Sequence, residues 1–191
     1  MDKIKTAIKE SIAVKERILN DDDILTTIKA VAELTVMAYR NGCKVLAAGN
    51  GGSAADAQHF AAEFVGRFYY NRPPLSAIAL TTDTSALTAI GNDYGYDYIF
   101  SRQVEANAVK GDILFAISTS GNSVSIINAI RSAKNKGVAI VGLTGEKPSK
   151  MDDMCDYIFK VPSADTPRIQ EGHELIEHII CQLVEEQLFP R

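Results

Sequence analysis

The chain has 191 residues, 46% hydrophobic and 23% charged, with 20 Lys+Arg against 24 Asp+Glu and a formal net charge of −4. That length suits one domain with a sizeable core, and the mild acidity argues against a broad nucleic-acid face, which needs a basic surface. No apolar run reaches the ~18 residues that cross a bilayer.

Taken in order, the opening Met1-Asp2-Lys3-Ile4-Lys5 alternates charge with apolar residues and is no signal peptide. Ile4, Ile8, Ile12 and Leu19 keep helical spacing through the first 19 residues. Asn20-Asp21-Asp22-Asp23 then offers N-caps for a second helix, whose stripe runs Leu25, Ile28, Val31, Ala32, Leu34, Thr35, Ala38 and stops at Gly42. Residues 1–42 thus read as an appended helical hairpin with apolar residues on more than one face, suited to a subunit interface. Residues 43–191 alternate strands (Val45–Ala48, Ala77–Leu80, Ile113–Ile117, Ala139–Leu143, Tyr157–Val161) with helices (Ser53–Gly66, Thr84–Ile90, Phe100–Asn107, Ser123–Lys136, Arg168–Leu188). Continuous apolar strands alternating with helices predict an α/β fold, a three-layer α/β/α sandwich on a five-stranded parallel sheet. Cys43, Cys155 and Cys181 are scattered and odd in number, which fits reduced thiols in a cytoplasm.

Two strand-to-helix loops stand out. Gly49-Asn50-Gly51-Gly52-Ser53 turns through three glycines into a helix N-terminus, baring N–H groups to an anion, with Ser53 as cap or phosphate donor. Gly49-x-Gly51-x-x-Ala54 also fits a loose dinucleotide fingerprint, but the acid expected ~20 residues on is missing. Asp83, the best candidate, lies later, which weighs against a nicotinamide cofactor. The second loop, Ser118-Thr119-Ser120-Gly121-Asn122-Ser123, is a neutral hydroxyl-rich cradle for a phosphate monoester. It lacks the lysine of a triphosphate-binding loop.

Two of the three histidines keep company with carboxylates. His59 and Glu63 are four residues apart on one helix face, and Gln170, Glu174 and His178 advance in steps of four along the last helix. His173 reads as a solvated helix residue, and Arg67 and Arg102 as surface or interface ion-pair residues.

The run from Gly49 to Glu63, together with Gly91-Asn92-Asp93-Tyr94-Gly95, Phe100 to Glu105, Ser118 to Ser123 and Arg168-Ile169-Gln170-Glu171, resembles the sugar isomerase (SIS) family. Within it the chain is most similar to the phosphoheptose isomerases, which interconvert sedoheptulose 7-phosphate and D-glycero-D-manno-heptose 7-phosphate. The resemblance implies a zinc ion held by His59, Glu63, Gln170 and His178, a set compatible with that ion's taste for imidazole and carboxylate. Glu174 is a rival ligand or a partner of the ligands. It also implies substrate contacts at Asn50, Gly51, Gly52, Glu63, Asn92, Asp93, Ser118, Thr119, Ser120, Ser123 and Gln170, with Ser53 a further candidate. Enediol(ate) chemistry needs a base and a proton donor, and Glu63 and His178 are the pair expected to supply them.

The family further implies a homotetramer with sites between subunits, and a product feeding heptose synthesis for a bacterial surface glycan such as lipopolysaccharide. Asp165-Thr166-Pro167-Arg168 departs from relatives that place an acid directly before the arginine, and Gly172 inside the last helix is expected to relax its first turn. The rival readings are a non-catalytic paralogue that binds the replication initiator DnaA, and an isomerase of another phosphosugar.

Overall fold

The structure, a computed structural model, describes residues 1–191. Helices α1 (Asp2–Leu19) and α2 (Asp22–Arg40) precede five strands, β1 (Val45–Gly49), β2 (Ala77–Ala79), β3 (Ile113–Ile117), β4 (Ala139–Gly145) and β5 (Tyr157–Val161). Between and after them come α3 (Gly52–Val65), α4 (Thr84–Tyr94), a 3-10 turn (Tyr96–Tyr98), α5 (Ser101–Asn107), α6 (Val124–Asn135) and α7 (Thr166–Leu188). The predicted elements are all present. The differences lie at their ends: β2 is a three-residue edge strand, β4 runs two residues further, and α4 continues through Asn92 and Asp93.

All strand pairs are parallel, in the order β2-β1-β3-β4-β5. Successive side chains of a strand point to opposite faces, and the core divides accordingly. Val45, Ala47, Ile113, Phe115, Ile117, Val141 and Leu143 join α1, α2, α3 and α7 in one layer. Leu46, Ala48, Leu114, Ala116 and Ile140 face the other way and pack with Ile99, Phe100, Val104 and the apolar face of α6. No helix is long and apolar enough to cross a membrane.

The N-terminal pair is less an appendage than expected. Val14 and Ile18 of α1, and Ile24, Ile28, Val31 and Val36 of α2, belong to the same core cluster as Ile176, Ile180 and Val184 of α7. Asp21 caps α2, its carboxylate accepting from the Ile24 amide at 3.0 Å, and Asn41 ends the helix with Gly42 at φ +74°. The stripe that carried the sequence reading of α1, Ile4, Ile8, Ile12 and Leu19, is exposed.

The chain steps outward from β1 to β2 and then crosses back to β3, so the order reverses between β1 and β3. At such a point the two loops leave the sheet in opposite directions and open a crevice at its carboxyl edge. Both motif loops rise there. On the far side, α7 closes over β5: a side-chain carbon on Gly172 would meet the Val161 methyls at 2.7 and 2.8 Å. Gly172 therefore sets how closely helix and strand approach; α7 runs unbroken through it.

Candidate active site

The glycine loop is built around backbone no other residue tolerates. Gly51 is the N-cap of α3 at φ +58°, and a side chain on Gly49 would strike the Ser53 carbonyl at 2.3 Å. Ser53 is not the cap; it is buried inside the first turn of α3, and no side-chain cap bond forms. A side chain on Gly52 would displace the Gln170 amide, which occupies that space.

In the hydroxyl loop, Ser118 is buried and its Oγ lies 3.5 Å from that of Ser120. The Asn122 amide donates to Ser120 Oγ at 3.2 Å, and Gly121 makes the turn at φ +62°. Ser123 is the N-cap residue of α6, but its hydroxyl caps nothing and instead accepts from Asn50 Nδ2 at 2.9 Å. Asn50 thus reaches from the β1 loop to the β3 loop across the crevice.

The clefts divide the remaining candidates. One of about 420 Å³ is lined by Gly52, Asp56, His59, Gln170 and Glu174. A second, of about 380 Å³, takes in Asn50, Gly51, Thr81, Thr88, Tyr96 and Phe100. Thr119 and Ser120 border a third, of about 270 Å³, beside Lys147. Asn92 and Asp93 do not follow a helix but sit exposed in the last turn of α4, Asn92 Nδ2 donating to Asp93 Oδ1 at 2.8 Å. Asp83 caps α4 by accepting from the Ala86 amide at 2.9 Å, so it has a structural task.

His59 Nε2 is the hub of the helix constellation. It lies 2.8 Å from His178 Nε2, 3.7 Å from Glu63 Oε1 and 3.9 Å from Glu174 Oε1. Helices α3 and α7, distant in sequence, thus bring both histidines and both carboxylates together. One atom each from His59, Glu174 and His178 lies within 4.8 Å of the others. Tetrahedral zinc at ~2.0–2.1 Å from nitrogen spaces its donors ~3.3 Å apart, so the histidine pair needs to open by only ~0.5 Å. The donor set therefore fits a zinc ion, with Glu174 in the converging group and Glu63 beside it.

His173 corrects the sequence reading outright. It is fully buried, its Nε2 donates to the Thr144 carbonyl at 3.1 Å, and burial pulls its pKa down to about 4. Arg102 stacks over the Tyr94 ring at 3.8 Å, and Arg168 pairs with Glu171 at 2.7 Å, with Asp165 at 4.0 Å.

Several polar residues near the site went unread in the sequence. Asp56 on α3 and Glu177 on α7 face each other beneath the histidines. Burial raises both carboxyls above the ordinary range, Glu177 further because the Asp56 charge lies beside it. The available signal was Glu177's place among Ile176, Ile180 and Val184, a charge on an apolar stripe. Arg72 and Glu185 form a buried ion pair at 2.9 Å, and Arg72 also donates to the carbonyls of Glu63 and Phe64 at 2.8 and 2.7 Å.

The SIS domain family matches residues 8–145. A phosphoheptose isomerase of Aneurinibacillus thermoaerophilus is 60% identical, the match covering 98% of this chain and 95% of the relative. Phosphoheptose isomerase 2 of Campylobacter jejuni is 58% identical over 97% and 92%. Among solved structures, phosphoheptose isomerase GmhA from Neisseria gonorrhoeae superposes with a TM-score of 0.91 at 44% identity, covering 97% of this chain and 98% of that one. A phosphoheptose isomerase from Francisella tularensis gives 0.93 at 38% identity, covering 97% of each.

Proposed function

The chain belongs to the SIS domain family and, within it, to the phosphoheptose isomerases, and we propose that it isomerises sedoheptulose 7-phosphate with Glu63 and His178 as its proton-moving pair. The observation that supports this most is the convergence of His59, Glu63, Glu174 and His178 from two helices beside a hydroxyl-lined crevice.

Ketose-to-aldose conversion takes a proton from C1, passes through an enediol(ate), and returns a proton to C2. The carboxylate of Glu63 is the base at carbon. The imidazole of His178 trades a proton with the substrate oxygens, its Nε2 lying 2.8 Å from that of His59. Ser118, Thr119, Ser120 and Ser123 hold the phosphate through hydroxyl donors, with Asn50, Gly51, Gly52 and Ser53 along the glycine loop. Gln170, Asn92 and Asp93 contact the sugar. A zinc ion held by His59, Glu63, Gln170 and His178, or with Glu174 in the set, would polarise the carbonyl as a Lewis acid, the ligand and base roles of Glu63 excluding each other at a given moment.

The same reading makes the protein a cytoplasmic homotetramer of single-domain subunits, its N-terminal helices forming part of the interface. Its product supplies heptose for a bacterial surface glycan such as lipopolysaccharide.

The test is turnover of sedoheptulose 7-phosphate before chelation, after it, and with Zn²⁺ restored. Loss and recovery support both the isomerase and the metal; activity indifferent to chelator leaves the chemistry to Glu63 and His178 alone. No turnover in any metal state overturns the reading in favour of another phosphosugar or a non-catalytic role. Glu63→Gln is expected to lose at least about a hundredfold in kcat, within the usual range for a general base, while still binding substrate in calorimetry.

A further inference from the structure

Asn50 is held at both ends. Its Oδ1 accepts from the Tyr96 hydroxyl at 2.7 Å, and its Nδ2 donates to Ser123 Oγ at 2.9 Å and to Ser125 Oγ at 3.0 Å. An asparagine amide presents a carbonyl on one side and an NH₂ on the other, so its orientation determines what its neighbours can do. With the NH₂ toward the two serines, both hydroxyl oxygens accept from the amide; they also lie 3.4 Å apart, so the Ser125 proton can bridge to Ser123 while the Ser123 proton is free to point elsewhere. Turned the other way, the amide carbonyl would draw those protons to itself.

Tyr96, 61% exposed, sits on a turn that α6 holds. It opens the 3-10 turn at Tyr96–Tyr98, and Asn128 of α6 donates to the Asp97 carbonyl in that turn at 3.0 Å. Ser123 stands at the start of the same α6, its hydroxyl turned to Asn50 rather than to the helix. The contacts therefore close a ring, from α6 to the 3-10 turn, through Tyr96 to Asn50, and back to α6 at Ser123 and Ser125. The ring bridges the crevice between the β1 and β3 loops.

We infer that Tyr96 is a positioning residue for the phosphate. By donating to Asn50 Oδ1, it holds the amide with its NH₂ on Ser123 and Ser125, which keeps the hydroxyl of Ser123 available to donate to the anion. The inference rests on the reading that the Ser118–Ser123 loop holds the phosphate. It assigns Tyr96 no part in proton transfer, because none of its contacts is with His59, Glu63 or His178.

The experiment compares wild type, Tyr96→Phe, Asn50→Ala and the double variant, by calorimetry with inorganic phosphate and by kinetics with sedoheptulose 7-phosphate. Tyr96→Phe is expected to weaken phosphate binding and raise KM by about fivefold to tenfold, the scale of one lost hydrogen bond, with kcat within about twofold. In the Asn50→Ala background the same substitution should add almost nothing, since it acts through a group no longer there. Additive effects, an unchanged phosphate affinity, or a fall in kcat at constant KM would each overturn the inference. A wild type that binds phosphate but does not turn over the sugar overturns the isomerase reading and leaves the phosphate comparison to decide Tyr96. If Ser118→Ala and Ser120→Ala leave phosphate affinity unchanged, the loop reading fails and the inference falls with it.

Discussion

Gly172 shows how one missing carbon sets how closely α7 approaches β5. On helix propensity alone, alanine should gain ~1 kcal/mol over glycine, but its methyl would lie inside the Val161 side chain. Gly172→Ala is therefore expected to destabilise the protein by ~1–3 kcal/mol, the usual cost of overpacking, and pairing it with Val161→Ala should recover most of the loss; thermal melts of the three variants decide it. At this scale the sequence was legible wherever proximity follows local spacing. His59 with Glu63 and Gln170 with Glu174 and His178 are runs on single helices, and the structure brings His59, Glu63, Glu174 and His178 together. What it could not disclose was depth: nothing in the pattern separates exposed Glu174 from buried His173 next to it, because that depends on where β4 lies. Tyr96 escaped notice for a related reason, since its partner is 46 residues away.

Among elements, the junction of α3 with α7 depends on the Arg72–Glu185 pair. The end of a helix leaves carbonyls without partners, and Arg72 satisfies those of Glu63 and Phe64, while Glu185 accepts from the Phe68 and Tyr69 amides at 2.9 and 2.7 Å. Removing either partner strands a buried charge, so Arg72→Met is expected to cost ~3–5 kcal/mol in denaturant unfolding. Burial alone would raise the Glu185 pKa, but the two amides and the guanidinium outweigh it and the group titrates below its ordinary 4.5. The unfolded chain therefore binds that proton first as pH falls, and the stabilisation, complete above pH 4.5, is lost as pH drops through the folded-state value. Melting temperatures of the wild type should fall more steeply below that pH than those of Glu185→Gln. Strands and helices of the α/β core were readable because apolar runs and caps are local signals. The extension of α4 through Asn92 and Asp93 was not, since those residues favour turns and the helix gains no buried residue by continuing.

For the whole molecule, one face of α1 is left over. Ile4, Ile8 and Ile12 are 62%, 56% and 50% exposed at intervals of four, while Val14 and Ile18 satisfy the core from the other side. That arrangement supports the proposed assembly of subunits, and Ile8→Glu with Ile12→Glu is expected to shift sedimentation toward smaller species without changing the far-ultraviolet dichroism. A different consequence follows from α7. It emerges after α1 to α6 during synthesis, yet Ile176, Ile180 and Val184 complete a core that α1 and α2 began, and His178 meets His59 only once α7 has docked. A nascent chain that has not yet exposed α7 carries a bare apolar layer and one of the two paired histidines. A chain cut short ahead of Thr166 is therefore expected to be captured by proteases and holdases, its apolar layer uncovered and His59 without His178.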